Sequence, residues 1–534
     1  MTKYLLKRLI RGLISVVIVV VVVMALVYSL IDKDFVFKGD TQQSKYLRNE
    51  KVVYKYTQWE NYGYLDFYEY SDYLDYLLAS GEISAEEKKV AARIGTTAIK
   101  DSATTSEYVK KFTEYCNANG YTVERLDAVM AGNTVQKGGA AKLFAYKNYS
   151  VLTRAWNFFK NLIEVDSIHY VEDDNQLVGE RGLSFTWYDP AYGGEKFSPA
   201  IIGNGTKHKY LVYFDDKFPF IHQNIVTINL GVSYAVNRGV DAYTTLTQTQ
   251  GTNVLAPTVY PTGNVFDSSD DLHSATFVAN SVISGGQVVC ESEYVLARYN
   301  DNYTGVGAIK DNLSRLAISF VMGIIASLIA YFLGVPLGIM MARNKGKILD
   351  KLGTIYIVFI IAVPSLAYIF MFRAIGAKIG LPDRFDIDGA RTSALFYFLP
   401  IISLALPSVA SLMNWLRRYM IDQQNSDYVK FARSGGLSEG EIFNKHILKN
   451  AIIPLVHGIP GTILGAMTGA IITETLYAVP GTGRMLTEAI NMYDNAVIVG
   501  LTMFYAILSI VSLILGDILM SMVDPRISFS DKVR

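Results

Sequence analysis

DYVKFARSGGLSEGEIFNKHILKNAIIP, from Asp427 to Pro454, is a polar, mixed-charge segment between two long apolar runs. It predicts two short helices broken at Gly435-Gly436. Before the break, Tyr428, Phe431 and Ala432 fall on one face at helical spacing. After it, Ser438 and Glu441 stand three apart, the spacing of a capping box, so a new helix can start at Ser438. In that helix Ile442, Phe443 and Ile447 form an apolar stripe, with Lys445 and Lys449 on other faces. A helix pair this short cannot bury its stripe alone and calls for a groove on something else. A loop lying on its own bundle fits the same residues equally well.

Outward from this segment, apolar runs near 394–416 and 452–475 flank it, and others lie near 316–341, 352–372 and 497–519. Each is long enough to cross a bilayer as a helix. Pro336, Pro364, Pro400 and Pro407 interrupt three of them, as membrane helices tolerate where neighbours re-satisfy the freed backbone groups. A sixth run, Leu13 to Ile31, follows a basic start with Lys3, Lys7, Arg8 and Arg11. It exceeds a usual signal-peptide core and no small-residue cleavage site follows, so an uncleaved helix is expected.

Alternating sides from that basic start gathers Arg343, Lys345, Lys347 and Lys351, then Arg417, Arg418, Lys430, Arg433, Lys445 and Lys449, then Arg526, Lys532 and Arg534 on one side. The positive-inside rule makes that side cytoplasmic. The stretch 32–310 holds no run long enough to cross and then falls outside. Ser84 and Glu87 at capping-box spacing start one helix there, and Ser106-Glu-Tyr-Val-Lys-Lys-Phe starts another. Tyr210-Leu-Val-Tyr-Phe and Asn224-Ile-Val-Thr-Ile-Asn predict short strands, so a mixed α/β domain is expected.

Lys plus Arg and Asp plus Glu both number 49, so no charge excess points to a nucleic-acid partner. The two cysteines, Cys116 and Cys290, form no C-x-x-C, and the six histidines are scattered, so no metal site is expected. The cysteines are either a disulfide of an external domain or two buried thiols. No phosphate-binding G-x-x-x-x-G-K-[ST] occurs, so ATP hydrolysis and a nucleotide cofactor are not expected on this chain. Glu474 lies near the outer end of an apolar run. It is either a functional intramembrane carboxylate or an interfacial one capping a short helix through Gly481. Pro480-Gly481 predicts a turn in both cases. His446, alone on an amphipathic helix, fits a packing or carbonyl-bonding role better than a metal ligand.

The opening segment resembles the cytoplasmic coupling loop of ABC-importer permeases. Asp427, Tyr428, Val429, Ala432, Arg433, Gly436, Leu437, Ser438, His446, Asn450 and Pro454 stand in the places of the oligopeptide/dipeptide, B-subunit-like branch. Gly435 replaces that branch's usual Lys. Asn229-Leu-Gly-Val-Ser, Leu333-Gly-Val-Pro-Leu-Gly-Ile, Glu474-Thr-Leu-Tyr-Ala-Val-Pro-Gly-Thr-Gly-Arg-Met-Leu, Leu515-Gly-Asp and Asp524-Pro-Arg resemble further motifs of the family. Gly205 to Asn224 is similar to the long-insert oligopeptide permeases of Gram-positive bacteria.

The resemblance implies a polytopic α-helical membrane protein of the type I ABC importer permease fold. Its parts would be an N-terminal membrane helix (1–31), an extracellular α/β insert (32–310) and a five-helix permease core (311–534) with a coupling loop at 417–450. It implies a bacterial cell membrane location with both termini cytoplasmic. A second permease subunit would complete a heterodimer, and two ATPase subunits carrying ATP and Mg would engage the loop, with Phe431 and Glu441 among its residues. A lipid-anchored binding protein would deliver peptide, and Glu474, Pro480 and Gly481 are candidates for the path through the bilayer. A membrane-anchored sensor with a signalling bundle is the competing expectation. The aromatic stretch Tyr62-Gly-Tyr-Leu-Asp-Phe-Tyr-Glu-Tyr either docks the binding protein or packs the insert's own core.

Overall fold

A computed structural model describes residues 2–523 except 96–98, 173–174, 176, 178 and 216–219, and between 254 and 309 only 257–259, 265–267, 273 and 298. Cys290, Asp524-Pro-Arg, Arg526, Lys532 and Arg534 lie outside the described residues. The apolar N-terminal run is one helix, α1 (Thr2–Leu30). Val16, Val20 and Met24 are its buried face.

The polar region after α1 contains sheets, as its strand patterns predict. Lys142–Asn148 is the central strand of a three-stranded antiparallel sheet, between Leu65–Glu69 and Thr122–Leu126. Side chains alternate across it. Leu143 and Ala145 join Tyr70, Tyr73, Leu74, Phe112 and Cys116 on one face, while Phe144 joins Trp59, Tyr62, Tyr64 and Phe67 on the other. The expectation that the Tyr62–Tyr70 aromatics form a docking surface is therefore corrected. Tyr62, Tyr64, Phe67 and Tyr70 are buried and build this domain's core. The capping box at Ser84 and Glu87 forms, and the next helix starts earlier than expected, at Ala103 on a Ser102 cap. Cys116 is a buried free thiol, pushed up to about 11 by that burial. A second sheet of four antiparallel strands has the order Phe220–Gln223, Tyr210–Asp215, Ala200–Asn204, Gly182–Thr186. Two short helices, α2 (Val151–Asn161) and α3 (Ala242–Thr247), join the polar region to the helical bundle.

The bundle begins with α4 (Arg315–Arg343). Next come α5 (Ile348–Ala362) and α6 (Ser365–Lys378), bent by 110° against each other. The bend sits where Val363 takes an extended conformation ahead of Pro364, as the residue before a proline prefers. The run expected at 352–372 is thus a broken pair. The other prolines do not interrupt: Pro336 lies inside α4, and Pro400 and Pro407 inside α7 (Leu395–Gln424). Then follow α8 (Asp427–Ser434) and α9 (Glu439–Glu441, π-type turns at Ile442–Ile447, then Leu448–Gly469). The described residues end with α10 (Ile471–Tyr477), α11 (Thr482–Asn491) and α12 (Asn495–Val523). Among the described residues, five helices are long and apolar enough to cross a membrane, or six if the bent pair counts as one span.

Two devices bind these parts. Gly334 and Gly338, four apart on α4, let α7 approach closely. A Cβ at either would stand 3.0–3.2 Å from the Leu412 or Leu416 side chain, and as near the backbone of Val409 or Met413. Small residues at this spacing are a common membrane-helix contact. The second device is the Asp494 carboxylate, fully buried just ahead of α12. The Ser233 hydroxyl donates to it at 2.8 Å, and the backbone N–H groups of Tyr234, Ala235 and Val236 donate at 3.1, 3.0 and 3.2 Å. Leu230 packs beside Gly500 in the same contact. We expect Asp494→Ala to leave four donors, two of them fully buried, without their acceptor and to cost on the order of 2–3 kcal/mol. A clear fall in thermal midpoint in detergent, with cleavage by protease around 229–247, checks this.

Candidate functional site

The segment that begins at Asp427 folds as a tight hairpin of α8 and the start of α9. α8 ends in a Schellman turn. The Leu437 N–H donates to the Ala432 carbonyl at 3.2 Å and the Gly436 N–H to that of Arg433 at 3.1 Å. Gly436 takes φ +83°, the left-handed conformation such a turn requires. Across it the Arg433 guanidinium forks onto Glu439, with Nε donating at 2.5 Å and Nη2 at 3.1 Å. α9 then starts on the expected capping box. The Glu441 N–H donates to Ser438 Oγ at 3.3 Å and the Ser438 N–H to the Glu441 carboxylate at 3.2 Å.

Two expectations are corrected here. The second helix is not short, because it runs through Pro454 and Pro460 into the bundle as α9. Its stripe needs no outside groove. Ile442, Phe443 and Ile447, with Val429 of α8, are buried against Ala342 of α4 and Leu416 and Met420 of α7. The Arg343 guanidinium lies 5.1 Å over the Phe443 ring. Tyr428 and Ala432 pack at the edge of this cluster, and Tyr428 donates its hydroxyl to Gln423 at 2.8 Å. Phe431 does not share their face: it is 81% exposed. Leu437 is exposed beside the turn, His446 and Asn450 are half-buried along α9, and Asp427 stands in solvent. The Lys430 ammonium, 2.9 Å away, holds the Asp427 carboxyl below its usual range. An otherwise anchored hairpin thus leaves one large apolar ring exposed.

Glu474, Pro480 and Gly481 are not part of this hairpin. They meet at the N-terminus of α11, beside Ser319 in the second turn of α4. Glu474 is fully buried, so it neither lines an open passage nor sits at a wet interface. It accepts from the Ser319 hydroxyl at 2.6 Å and the Arg484 N–H at 2.9 Å, which caps α11. A Cβ on Gly481 would collide with the Glu474 carboxylate and the Ser319 hydroxyl. The Pro480 carbonyl accepts from Gln250 Nε2 at 3.1 Å. Sequence reasoning missed Ser319 and Asp494. The signal for Asp494 was an acidic residue directly before an apolar run, with Ser233 in a quoted motif. Among the described residues, no cluster of three or more His, Cys, Asp or Glu could hold a metal.

A family model described as binding-protein-dependent transport system inner membrane component matches residues 334–529. Over 534 residues the chain is 34% identical to the oligopeptide transport system permease protein AmiC of Streptococcus pneumoniae, covering 100% of this chain and 99% of that protein. It is 33% identical over 226 residues to the dipeptide transport system permease protein DppB of Lactococcus lactis, covering 42% of this chain and 73% of that protein. The DppB of Bacillus subtilis is 31% identical over 226 residues, covering 42% of this chain and 72% of that protein.

Glu474→Ala is expected to strip the α11 cap and remove the acceptor of the Ser319 O–H, which keeps only its contacts with Thr482, costing about 1–3 kcal/mol. Glu474→Gln, which keeps an acceptor, should cost less. Thermal unfolding of the two purified variants gives the order.

Proposed function

The chain belongs to the family of binding-protein-dependent transport system inner membrane components, and we propose that it is a permease subunit of an ATP-driven oligopeptide importer. The observation that carries this reading is the anchored hairpin with Phe431 projecting from it. It sits at the far end of α4 from the sheet-containing region. α3 packs on α4, Gln250 bonds the Leu313 carbonyl just ahead of its first residue, and Phe443 meets Arg343 at its last. The 29 residues between span about 43 Å at 1.5 Å each, more than a hydrocarbon core.

In this reading the hairpin inserts Phe431 and Leu437 into a groove on an ATPase subunit. ATP and Mg belong to two such subunits and none of the chemistry to this chain. ATP binding moves α8, and the buried cluster passes that motion to α4, α7 and α9, biasing a two-state bundle between inward and outward access. A second permease subunit completes the path, and a lipid-anchored binding protein presents peptide to the 32–310 region. That region lies outside a bacterial cell membrane and both termini lie inside, as the basic segments favour. A sensor whose helices only signal leaves the full-length match to a permease unexplained.

Gly436→Val places a β-branched residue at φ +83° and should leave membrane insertion intact while abolishing peptide uptake. Gly436→Asn, which tolerates that conformation, should retain more uptake. Phe431→Asp, at an exposed position, should leave the thermal midpoint unchanged yet lose the ATPase subunits on purification. Normal uptake by a well-expressed Gly436→Val protein would remove the loop from the mechanism.

Orientation has its own check. After reduction and gentle denaturation of whole cells, a membrane-impermeant thiol reagent should reach Cys116 and Cys290. Labelling that needs a permeabilised membrane would reverse the topology.

A further inference from the structure

The helix α2 carries a broad apolar arc, only half of which the protein covers. Val151, Ala155, Phe158 and Leu162 share one side, and Ala155, Phe158 and Leu162 join the cluster that contains Val20 and Met24 of α1. Leu152 and Trp156, adjoining that side at i and i+4, are 75% and 70% exposed, and half-buried Phe159 continues the same stripe. Thr153, Asn157, Lys160 and Asn161 make the polar side.

The position of α2 says what covers the bare half. Met24, Tyr28, Arg154 and Phe158 line one cleft of about 210 Å³, and the Arg154 guanidinium lies 4.8 Å over the Tyr28 ring. Met24 and Tyr28 are six and two residues inside the end of α1, so the cleft that Phe158 helps line lies about 3–9 Å below that end. That matches the depth of an interfacial helix, roughly 5–10 Å into the headgroup and acyl boundary. Followed toward its N-terminus, the same side of α1 is bare. Val17, Ile14 and Ile10 continue the Tyr28–Met24–Val21 line and are exposed. Lipid covers that line lower down in a membrane-spanning helix, and α2 replaces lipid at its top. The exposed tryptophan is the residue type that settles at this level.

We propose that α2 is a membrane-surface helix, with Leu152 and Trp156 seated in the leaflet at the C-terminal end of α1. It fastens the sheet-containing region to the bilayer beside the bundle. The proposal rests on α1 crossing the membrane, not on the transport reading, so the two can fail separately.

The test uses the assembled transporter in phosphatidylcholine nanodiscs. Tryptophan emission is compared between the native protein and Trp156→Phe, with acyl chains either unlabelled or brominated near the headgroup or near the terminal methyl. The difference signal isolates Trp156 from the other tryptophans. Seating in the leaflet predicts that this signal is lost with shallow bromines, less so with deep ones, and survives aqueous iodide. A signal quenched by iodide and untouched by brominated lipid would overturn the proposal in favour of a solvated face. A signal quenched by neither would overturn it in favour of coverage by another protein chain.

Discussion

Val429, Ile442, Phe443 and Ile447 close over Ala342, Leu416 and Met420, and this contact governs what the hairpin can do. Without it, α8 would be a single short helix on a glycine turn, free to swing. With it, α8, the start of α9 and the ends of α4 and α7 move as one piece. Close-packed apolar contacts transmit displacement because they have little room to compress. The Schellman turn at Gly436 and the Arg433–Glu439 fork stiffen the outer edge of the same piece. Phe431 and Leu437 are the large apolar side chains this hairpin leaves exposed.

The opposite end of the bundle adds two buried carboxylates to its apolar packing of Ile318 and Met322 on Tyr477 and Val479. Glu474 joins Ser319 of α4 to the N-terminus of α11, and Asp494 gathers the 233–236 backbone onto the start of α12. Buried carboxyl groups persist where several donors satisfy them, and each of these accepts at least two hydrogen bonds. α4 is therefore gripped at its N-terminal end by Glu474 and at its C-terminal end by the hairpin cluster. The glycine contact with α7 lies between them.

Local signals were legible in the sequence, and distant partners were not. The capping box at Ser438 and Glu441 and the glycine turn depend on neighbours a few residues away, so spacing alone places them. The stripe Ile442–Phe443–Ile447 announces a buried face but not what buries it. Its cover comes from Ala342 and Leu416, on other helices. Glu474 stands out as an odd carboxylate, yet Ser319, which satisfies it, lies 155 residues away. Tyrosine serves a core and an interface alike, so the Tyr62–Tyr70 stretch could not be assigned before the sheet placed it. The prolines divide for a reason outside local pattern. Neighbouring helices carry α4, α7 and α9 through theirs, whereas Val363 extends and the chain turns.

The central claim is that this hairpin is where the ATPase engages the chain. A photo-crosslinking amino acid placed at position 431 of the assembled transporter, irradiated in membranes, tests it most directly. The account predicts an adduct with an ATPase subunit from position 431 and none from position 156. Adducts with lipid alone from position 431, while the complex remains intact, would contradict it.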